Sequence, residues 1–450
     1  MLGCRCAAIA GAAAVSALLG SGPAWAHTAE QGFVLTLPTD LYVLGGTLVV
    51  ALSFVLVALV PRLAAWPLGT IFLGRPPRWL VQAFGLAALA MTFSLVVVGV
   101  TGTQDPTVNP LPLTVWTVGW IGFTTLSLIV GNLWTVIRPW PDWRAGARRA
   151  PLAYPAWLGA WPAFAGLAAF AWFELIHTTP ANPTLLAWVV TVYVLGTWVA
   201  IALFGAAWLR DGETFSVYFR MVSWLAPIGR RAGDDDAFEL RVPGTALVRG
   251  TAPVPGLTAF VLLALATVSF DGLSRTFWWL GRVGVNPLDF PGRSAVAVVN
   301  TGGLIGTFAA LAGAFGLARW LSRRLGGGPA PVAALVPIAL GYHLAHYLPV
   351  ALIDGQYAWA ALLAALGAGD GHGAIHGSLL SDHRSVRLVW RVQVAIIVAA
   401  HVAAIAVSHA RAARAAATSA TAVRGQLPLT ALMIGYTLFG LWLLSTPTIG

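Results

Sequence analysis

The sequence has no lysine and few charged residues of either sign. Charged residues make up 9% of the 450 positions, whereas a soluble domain carries about 25%. Because so little of the chain can face water, a soluble globular protein is excluded. The 58% of hydrophobic residues indicates instead an integral membrane protein of the all-α class, a polytopic bundle of transmembrane helices.

The sequence also has only two cysteines, Cys4 and Cys6, and both lie near the N-terminus. Residues 1–26 combine one early arginine with a short apolar core and end in "AWA", which is the pattern of a cleaved secretory signal peptide. An uncleaved first span is the alternative. Cleavage would leave a single domain, 27–450, without cysteine. Disulfides and thiolate ligands are then excluded, and a metal would have to be bound by His, Asp, Glu or Tyr.

Long hydrophobic runs dominate the rest of the chain. A transmembrane helix needs about 20 mainly apolar residues. Runs of this length follow the N-terminal segment near 40–60, 79–100, 111–131, 155–176, 184–208, 256–272, 294–318, 331–352, 388–410 and 427–445. We therefore predict about ten transmembrane helices in contact with the lipid bilayer.

The positions of arginine predict the orientation of these helices. With the mature N-terminus outside, the inward-facing gaps hold nineteen arginines, and the outer gaps or outer helix ends hold six. Such a bias marks the cytoplasmic side of membrane proteins. We expect a multi-pass protein of the bacterial inner membrane with both mature termini on the periplasmic side. The same distribution argues against nucleic acid as a partner, although the formal net charge is +10.

The largest predicted inner segment, about 209–255, lacks a long apolar run. Its first part, "DGETFSVYFRMVSWLAPIGR", is amphipathic and aromatic, which predicts a stretch lying along the membrane surface. The following "RRAGDDDAFELR" mixes charges of both signs, so we expect a solvated loop there.

Histidines inside predicted spans are candidate functional residues, because an ionisable group in hydrocarbon is costly unless it is paired. His343 and His346 lie one turn apart in "VPIALGYHLAHYLPVALIDGQ", so both can face one target. His401 lies at a similar depth in the next span, which runs antiparallel. We expect these three imidazoles to converge in one pocket. His409 lies near the inner end of its span, where we expect it to extend towards the membrane surface or to cap that terminus.

Carboxylates lie at the predicted outer ends of the spans. They are Asp40, Glu174 (followed by His177), Asp271 and Asp354. The predicted histidine pocket therefore has carboxylates within reach on its outer side.

This pattern favours a divalent metal ion, zinc or copper, as cofactor. Histidine is the commonest metal ligand, and its neutral imidazole suits both metals. His343, His346 and His401 would supply three ligands, and a carboxylate or a water molecule would complete a catalytic site. The alternative is that these histidines hydrogen-bond Tyr, Ser or backbone groups between helices.

Two other places offer histidine ligands. His27 would be the first residue after cleavage, where its amine and ring nitrogen could bind copper. The predicted outer loop "GAGDGHGAIHGSLLSDHR" holds His372 and His376 four residues apart. A glycine-rich loop with scattered histidines is more often simply polar and exposed.

Several motifs together resemble one family. They are "AHTAEQGFVLTLPTDLY", "GTQDPTVNPLP", "GNLWTVIRPW", "TVSFDGLS", "VPIALGYHLAHY" and "GLWLLSTP". Over nearly the whole mature chain, the sequence is similar to multi-spanning bacterial membrane proteins called fenitrothion hydrolases. One departure is "RPW" at 138–140, where the family pattern has "NPW".

The resemblance implies cleavage of an aryl phosphotriester or thiophosphotriester, which is a small hydrophobic organic substrate. Triester hydrolysis needs an activated water and stabilisation of charge at phosphorus, and a divalent metal supplies both. In this hypothesis the three histidines bind the metal, and Asp271 orients or deprotonates its water. Tyr347 or Arg275 would stabilise the developing oxyanion.

Two rival functions use the same histidines. A metal-ion or proton-coupled transporter, or a copper-handling protein, would need His and Asp residues at mid-membrane for an ion relay. A redox or assembly protein would use the histidines as ligands of haem or copper.

Overall fold

The computed structural model describes residues 39–59, 66–140, 150–231, 234–250, 254–286, 289, 292–326, 331–365, 367, 380, 382–416, 418–446 and 448. The predicted signal peptide, His27, His372 and His376 lie outside the described residues.

Helices make up most of the described chain. In chain order they are α1 (Thr39–Leu59), α2 (Arg78–Thr101), α3 (Pro110–Val130), α4 (Trp161–Leu175), α5 (Pro183–Phe204), α6 (Thr214–Ser223), α7 (Thr245–Arg249), α8 (Leu257–Ser274), α9 (Phe277–Arg282), α10 (Arg293–Arg324), α11 (Val336–Ala365), α12 (His383–Ala415) and α13 (Ser419–Ser445). Three strands accompany them: β1 (Thr70–Gly74), β2 (Ile228–Arg231) and β3 (Asp234–Arg241).

Among the described residues, nine helices are long and apolar enough to cross a membrane: α1, α2, α3, α5, α8, α10, α11, α12 and α13. The prediction of an all-α polytopic bundle is confirmed. Within their most apolar windows, 67% of the residues of α8 and 56% of those of α11 are buried, against 11% for α1. The central helices α8 and α11 therefore provide the interior in which polar groups can be enclosed.

The predicted span at 155–176 is shorter than expected. It forms α4, which has 15 residues and begins only at Trp161. Pro162 follows directly, and proline is tolerated in the first turn of a helix but not further inside. The Ala160 N–H donates to the Pro255 carbonyl at 2.7 Å, so the N-termini of α4 and α8 lie together.

The histidine-bearing helix is longer than expected. Its predicted end was near residue 352, but α11 continues through Asp354 to Ala365. Its 30 residues span about 45 Å, more than the roughly 30 Å of a hydrocarbon core. Asp354 is therefore a buried residue inside the helix rather than a residue that follows it.

A proline inside α11 leaves one backbone carbonyl without its helical donor, and a side chain of α12 supplies a donor instead. Pro349 has no N–H, so the Ala345 carbonyl four residues earlier loses its helical donor. The Gln393 side chain on α12 donates its Nε2–H to this carbonyl at 2.7 Å. Nearby, a Cβ on Gly341 would lie 2.3 Å from the Ala400 Cβ, so the glycine permits close contact of the two helices. These contacts set the antiparallel register of α11 and α12.

The segment at 209–255 forms neither the expected surface-lying stretch nor the expected solvated loop. Helix α6 does not lie on a surface, because most of its side chains are buried against the bundle. The charge-mixed stretch forms β2 and β3, which pair with β1 in an antiparallel sheet of order β1-β3-β2. Arg249 donates to Glu239 at 2.9 Å within this layer. The strands β2 and β3 form a local hairpin, and β1 pairs with β3 from a distant part of the sequence.

The bundle has two distinct ends. The sheet is followed through α7 by the N-terminus of α8, so we call this the sheet end. The C-termini of α4 and α8 lie at the opposite end, which we call the network end because it carries the polar network described below.

We predict that the two ends face opposite sides of the membrane, with the sheet end cytoplasmic. Ala365 and Ala415 are exposed residues at the last turns of the antiparallel helices α11 and α12. In intact cells, a membrane-impermeant thiol reagent should label Ala365→Cys, whereas Ala415→Cys should be labelled only after permeabilisation. The unaltered chain is the control for Cys4 and Cys6. The reverse labelling pattern would invert the assigned orientation.

We predict that Gln393→Leu lowers the free energy of unfolding by about 1–3 kcal/mol, because the buried Ala345 carbonyl loses its donor. Denaturant unfolding in mild detergent measures the change. In a Pro349→Ala background the backbone N–H is restored, and the cost of Gln393→Leu should shrink. An equal cost in both backgrounds would show that the hydrogen bond to the carbonyl is not the cause.

Candidate functional site

A polar network lies at the network end, where three helices meet. Glu174 comes from the last turn of α4, Asp271 from the last turn of α8, and His346 and Tyr347 from α11. Together with Arg275 these residues form what we call the carboxylate network. Both carboxylates are buried, with exposed fractions of 1% for Glu174 and 2% for Asp271.

Asp271 is the most highly bonded member of the network. Its Oδ2 lies 2.7 Å from His346 Nε2 and 3.3 Å from the Tyr347 hydroxyl oxygen. Its Oδ1 lies 3.1 Å from the Arg275 guanidinium, one turn later on the same helix. A buried carboxylate is tolerated when charged and polar donors surround it in this way.

Tyr347 connects the two carboxylates. Its hydroxyl donates to Glu174 Oε1 at 2.7 Å and lies 3.3 Å from Asp271 Oδ2. The other oxygen of Glu174, Oε2, is buried and has no hydrogen-bond partner among the described residues. With an exposed fraction of 1%, Tyr347 supports the carboxylates from inside the bundle rather than facing solvent.

An arginine from α10 holds the end of α4 in place. Arg293, the first residue of α10, donates to the Glu174 carbonyl at 2.7 Å and to the His177 carbonyl at 3.2 Å. Carbonyls at a helix C-terminus lack intrahelical donors, and a cation there is favourable. Burial and the nearby Arg293 lower the pKa of His177, which lies beyond the end of α4. The sequence did not point to this role of Arg293.

His346 has one ring nitrogen bound and one available. Because a carboxylate only accepts hydrogen bonds, Nε2 carries the hydrogen that Asp271 accepts. Nδ1 then carries the lone pair. Among the described residues this nitrogen has no hydrogen-bond partner, and it is accessible rather than buried. The side chain is 25% exposed. His346 therefore has the geometry of an oriented base that is open to the surroundings.

His343 lies deeper than His346 and has different neighbours. Its ring packs against Trp120 and Tyr347, with centroid separations of 4.9 and 4.8 Å. Trp120 belongs to a π-helical stretch of α3, Leu113–Gly122. Among the described residues, His343 Nε2 is buried and without a partner.

Beside His343 lies a small cavity of about 10 Å³, close to the space that one water molecule needs. Its lining includes Trp120, Tyr218, Thr267, His343 and Tyr347. Aromatic rings thus close the bundle beneath the carboxylate network.

His401 occupies the predicted depth but faces another direction. Its Nδ1 lies 2.8 Å from the Ile397 carbonyl, and its ring lies 6.0 Å from the ring of Tyr342. Tyr342 and His343 are consecutive on α11 and therefore point about 100° apart. His401 lies on the Tyr342 side, whereas His343 packs against Trp120 of α3.

The described residues contain no group of three or more His, Cys, Asp or Glu placed to hold a metal ion. His343, His346 and His401 all belong to the described residues, so the structure does not bring these predicted ligands together as one donor set. The physical reason is that the three rings face different neighbours, although their depths along the helices are similar. Metal binding by this chain stays a prediction.

Two further ionisable groups lie at the sheet end. His409 is buried inside α12 and accepts a hydrogen bond from Gln426 at 3.1 Å, so it does not cap the helix terminus as expected. Glu213 is the buried N-cap of α6 and accepts from the backbone N–H groups of Phe215 and Ser216 at 2.9 and 2.7 Å. Trp134 also donates to it at 3.1 Å, so Glu213 is a saturated capping group. Glu174 differs from Glu213 because its Oε2 has no hydrogen-bond partner in the described part of the chain.

Comparison with protein-family models, with curated proteins and with solved structures finds no match for this chain.

We predict that Tyr347→Phe lowers the free energy of unfolding by about 1–3 kcal/mol, because buried Glu174 Oε1 loses its donor. Tyr357 lies on the same helix, and its hydroxyl has no hydrogen bond with the described residues, so Tyr357→Phe is the matched control. Thermal unfolding in mild detergent measures both variants. Equal effects of the two variants would contradict a bridging role for the Tyr347 hydroxyl.

Proposed function

We propose that this polytopic membrane protein is a hydrolase of organophosphorus triesters, with the Asp271–His346 pair as its reaction centre. One observation carries the proposal: His346 Nε2 is held by a buried carboxylate, while Nδ1 is unpaired within the described chain and open. This is the arrangement of a general base whose tautomer and orientation are set by a carboxylate. The resemblance to fenitrothion hydrolases supports the substrate class.

In the proposed reaction, His346 Nδ1 accepts a proton from a water molecule as the water oxygen attacks phosphorus. The new P–O bond forms, the bond from phosphorus to the aryl oxygen breaks, and the aryloxide leaves with the electron pair. Asp271 stabilises the imidazolium that forms. Tyr347 and Arg275 hold Asp271 in position, and the Arg275 guanidinium adds positive charge beside the oxygen that becomes more negative at phosphorus.

The location of the network supports an apolar substrate. His346 and Arg275 are about one quarter exposed at the network end, within a bundle whose outer helices expose large apolar side chains. A small hydrophobic aryl triester partitions into lipid and can approach from there. We place this end on the periplasmic side, because the arginine-rich sheet end is expected in the cytoplasm.

The expected zinc or copper ion does not enter this mechanism. The three predicted histidine ligands do not form one donor set among the described residues. Measurement of bound metal in protein purified without chelators remains the direct test of that expectation.

A proton-coupled transporter is the second candidate. The observation that favours it is the Tyr347 hydroxyl between two buried carboxylates, since such chains of groups carry protons in membrane transporters. The aromatic layer around His343 argues for a site open at one end rather than a path through the bundle.

We predict that His346→Gln lowers the rate of nitrophenol release from a nitrophenyl phosphotriester by about 10²–10⁴-fold. The glutamine amide can still donate to Asp271 but offers no basic nitrogen. Asp271→Asn should have a similar effect, because the amide cannot stabilise an imidazolium. His401→Asn, which keeps a donor for the Ile397 carbonyl, should retain activity within a few-fold.

The outcomes separate the candidate functions. Full activity in His346→Gln would refute the proposed base. Loss of both activity and bound metal in His401→Asn would favour the three-histidine metal site instead. Proton-driven solute uptake into sealed vesicles, with no nitrophenol release by the unaltered protein, would favour the transporter.

A further inference from the structure

Gly272 lies next to the open nitrogen of His346. It follows Asp271 in the last turns of α8 and is partly exposed. A Cβ built on this glycine would lie 4.0 Å from His346 Nδ1 and 3.5 Å from Leu443 Cδ1 of α13. Both separations are ordinary van der Waals contacts, so the neighbours of Gly272 do not exclude a methyl group at this position.

Packing requires two buried glycines of the bundle, Gly303 and Gly341, but it does not require the partly exposed Gly272. A Cβ on Gly303 would lie 2.4 Å from Phe270, and one on Gly341 would lie 2.3 Å from Ala400. Gly272 has neither such a clash nor a positive φ. Since glycine inside a helix is less favourable than alanine, packing and backbone conformation do not explain this residue.

The missing side chain of Gly272 leaves space beside His346 Nδ1, where a group that gives up its proton to this base must lie. A base must lie within about 2.6–3.2 Å of the atom whose proton it takes. A methyl group on Gly272 would lie 4.0 Å from Nδ1 and would take up part of the space beside this nitrogen. Arg275, the C-cap residue of α8, lies 3.1 Å from Asp271, the carboxylate that also binds His346, so a cation lies near this space.

We propose that the backbone of α8 at Gly272 contacts the substrate. The phosphorus group lies against this backbone, between His346 Nδ1 and Arg275. The aryl group packs against Leu443 on α13. This inference rests on the proposed function, because it assigns the position of the substrate of the same centre. The shape of this space makes Gly272 a determinant of substrate size.

The test is a size series at this position with a matched control. Gly272→Ala and Gly272→Val are compared with Gly435→Ala, a helical glycine of α13 whose Cβ would have nothing within 4 Å. Three quantities are measured: the Tm in mild detergent, kcat/KM for a nitrophenyl phosphotriester, and the rate at which diethylpyrocarbonate modifies His346, followed by peptide mass spectrometry. The last readout does not depend on activity.

We expect an unchanged or higher Tm for Gly272→Ala, with kcat/KM lower by about 10-fold for alanine and about 100-fold for valine. The modification rate of His346 should fall in the same order. Gly435→Ala should leave kcat/KM and the modification rate unchanged.

Failure of this inference is distinguishable from failure of the proposed function. If His346→Gln abolishes activity but Gly272→Val changes neither kcat/KM nor the modification rate, Gly272 does not contact substrate and the base remains supported. A fall in Tm for Gly272→Ala would also overturn the inference, because packing would then explain the glycine. If His346→Gln stays active, the proposed function fails and the substrate position fails with it.

Discussion

The buried Asp271 carboxylate is the constraint on which this structure depends. A carboxylate inside an apolar bundle is tolerated only when donors compensate for its lost hydration. Here the donors are Arg275, at the C-terminal cap of α8, and His346 of α11, and the polar hydroxyl of Tyr347 lies 3.3 Å away. Satisfying this one group therefore fixes how the two most enclosed long helices face each other. It also sets the tautomer of His346, from which the proposed chemistry follows.

The short helix α4 belongs to the same arrangement. It ends where its last turn can present Glu174 to Tyr347, and Arg293 of α10 binds the carbonyls at that end. A helix of 15 residues is too short to cross a bilayer alone, so its C-terminus lies within the bundle rather than beyond it. Its free carbonyls then require a donor from a neighbouring helix. Because α4 is short, its terminal carbonyls lie inside the bundle, and Arg293 supplies the donor that they need there.

The candidate site is closed towards the bundle interior and open at the network end. The π-helical turns of α3 place Trp120 against His343, and the remaining space there admits about one water molecule. At the other side, His346 is partly exposed, and Gly272 leaves room beside its nitrogen. Among the described residues, the carboxylate network is therefore closed towards the bundle interior and accessible at the network end.

The spacing of the histidines was informative about depth but not about direction. Residues 343 and 401 do lie at similar levels, because α11 and α12 are antiparallel and Gly341 packs on Ala400. However, a shift of one residue turns a side chain by about 100° around a helix, and hydropathy does not encode which neighbour it meets. His401 therefore lies beside Tyr342 rather than His343.

The sequence by itself determined the class of this protein, since low charge and long apolar runs leave only a membrane helix bundle. It also identified Asp271, His346 and Tyr347 as candidates, because an ionisable or polar group in an apolar helix needs a partner. Only the tertiary structure decided which partners these are. Contacts among α4, α8 and α11 join residues about 75 to 175 positions apart, and local periodicity carries no information on such pairs.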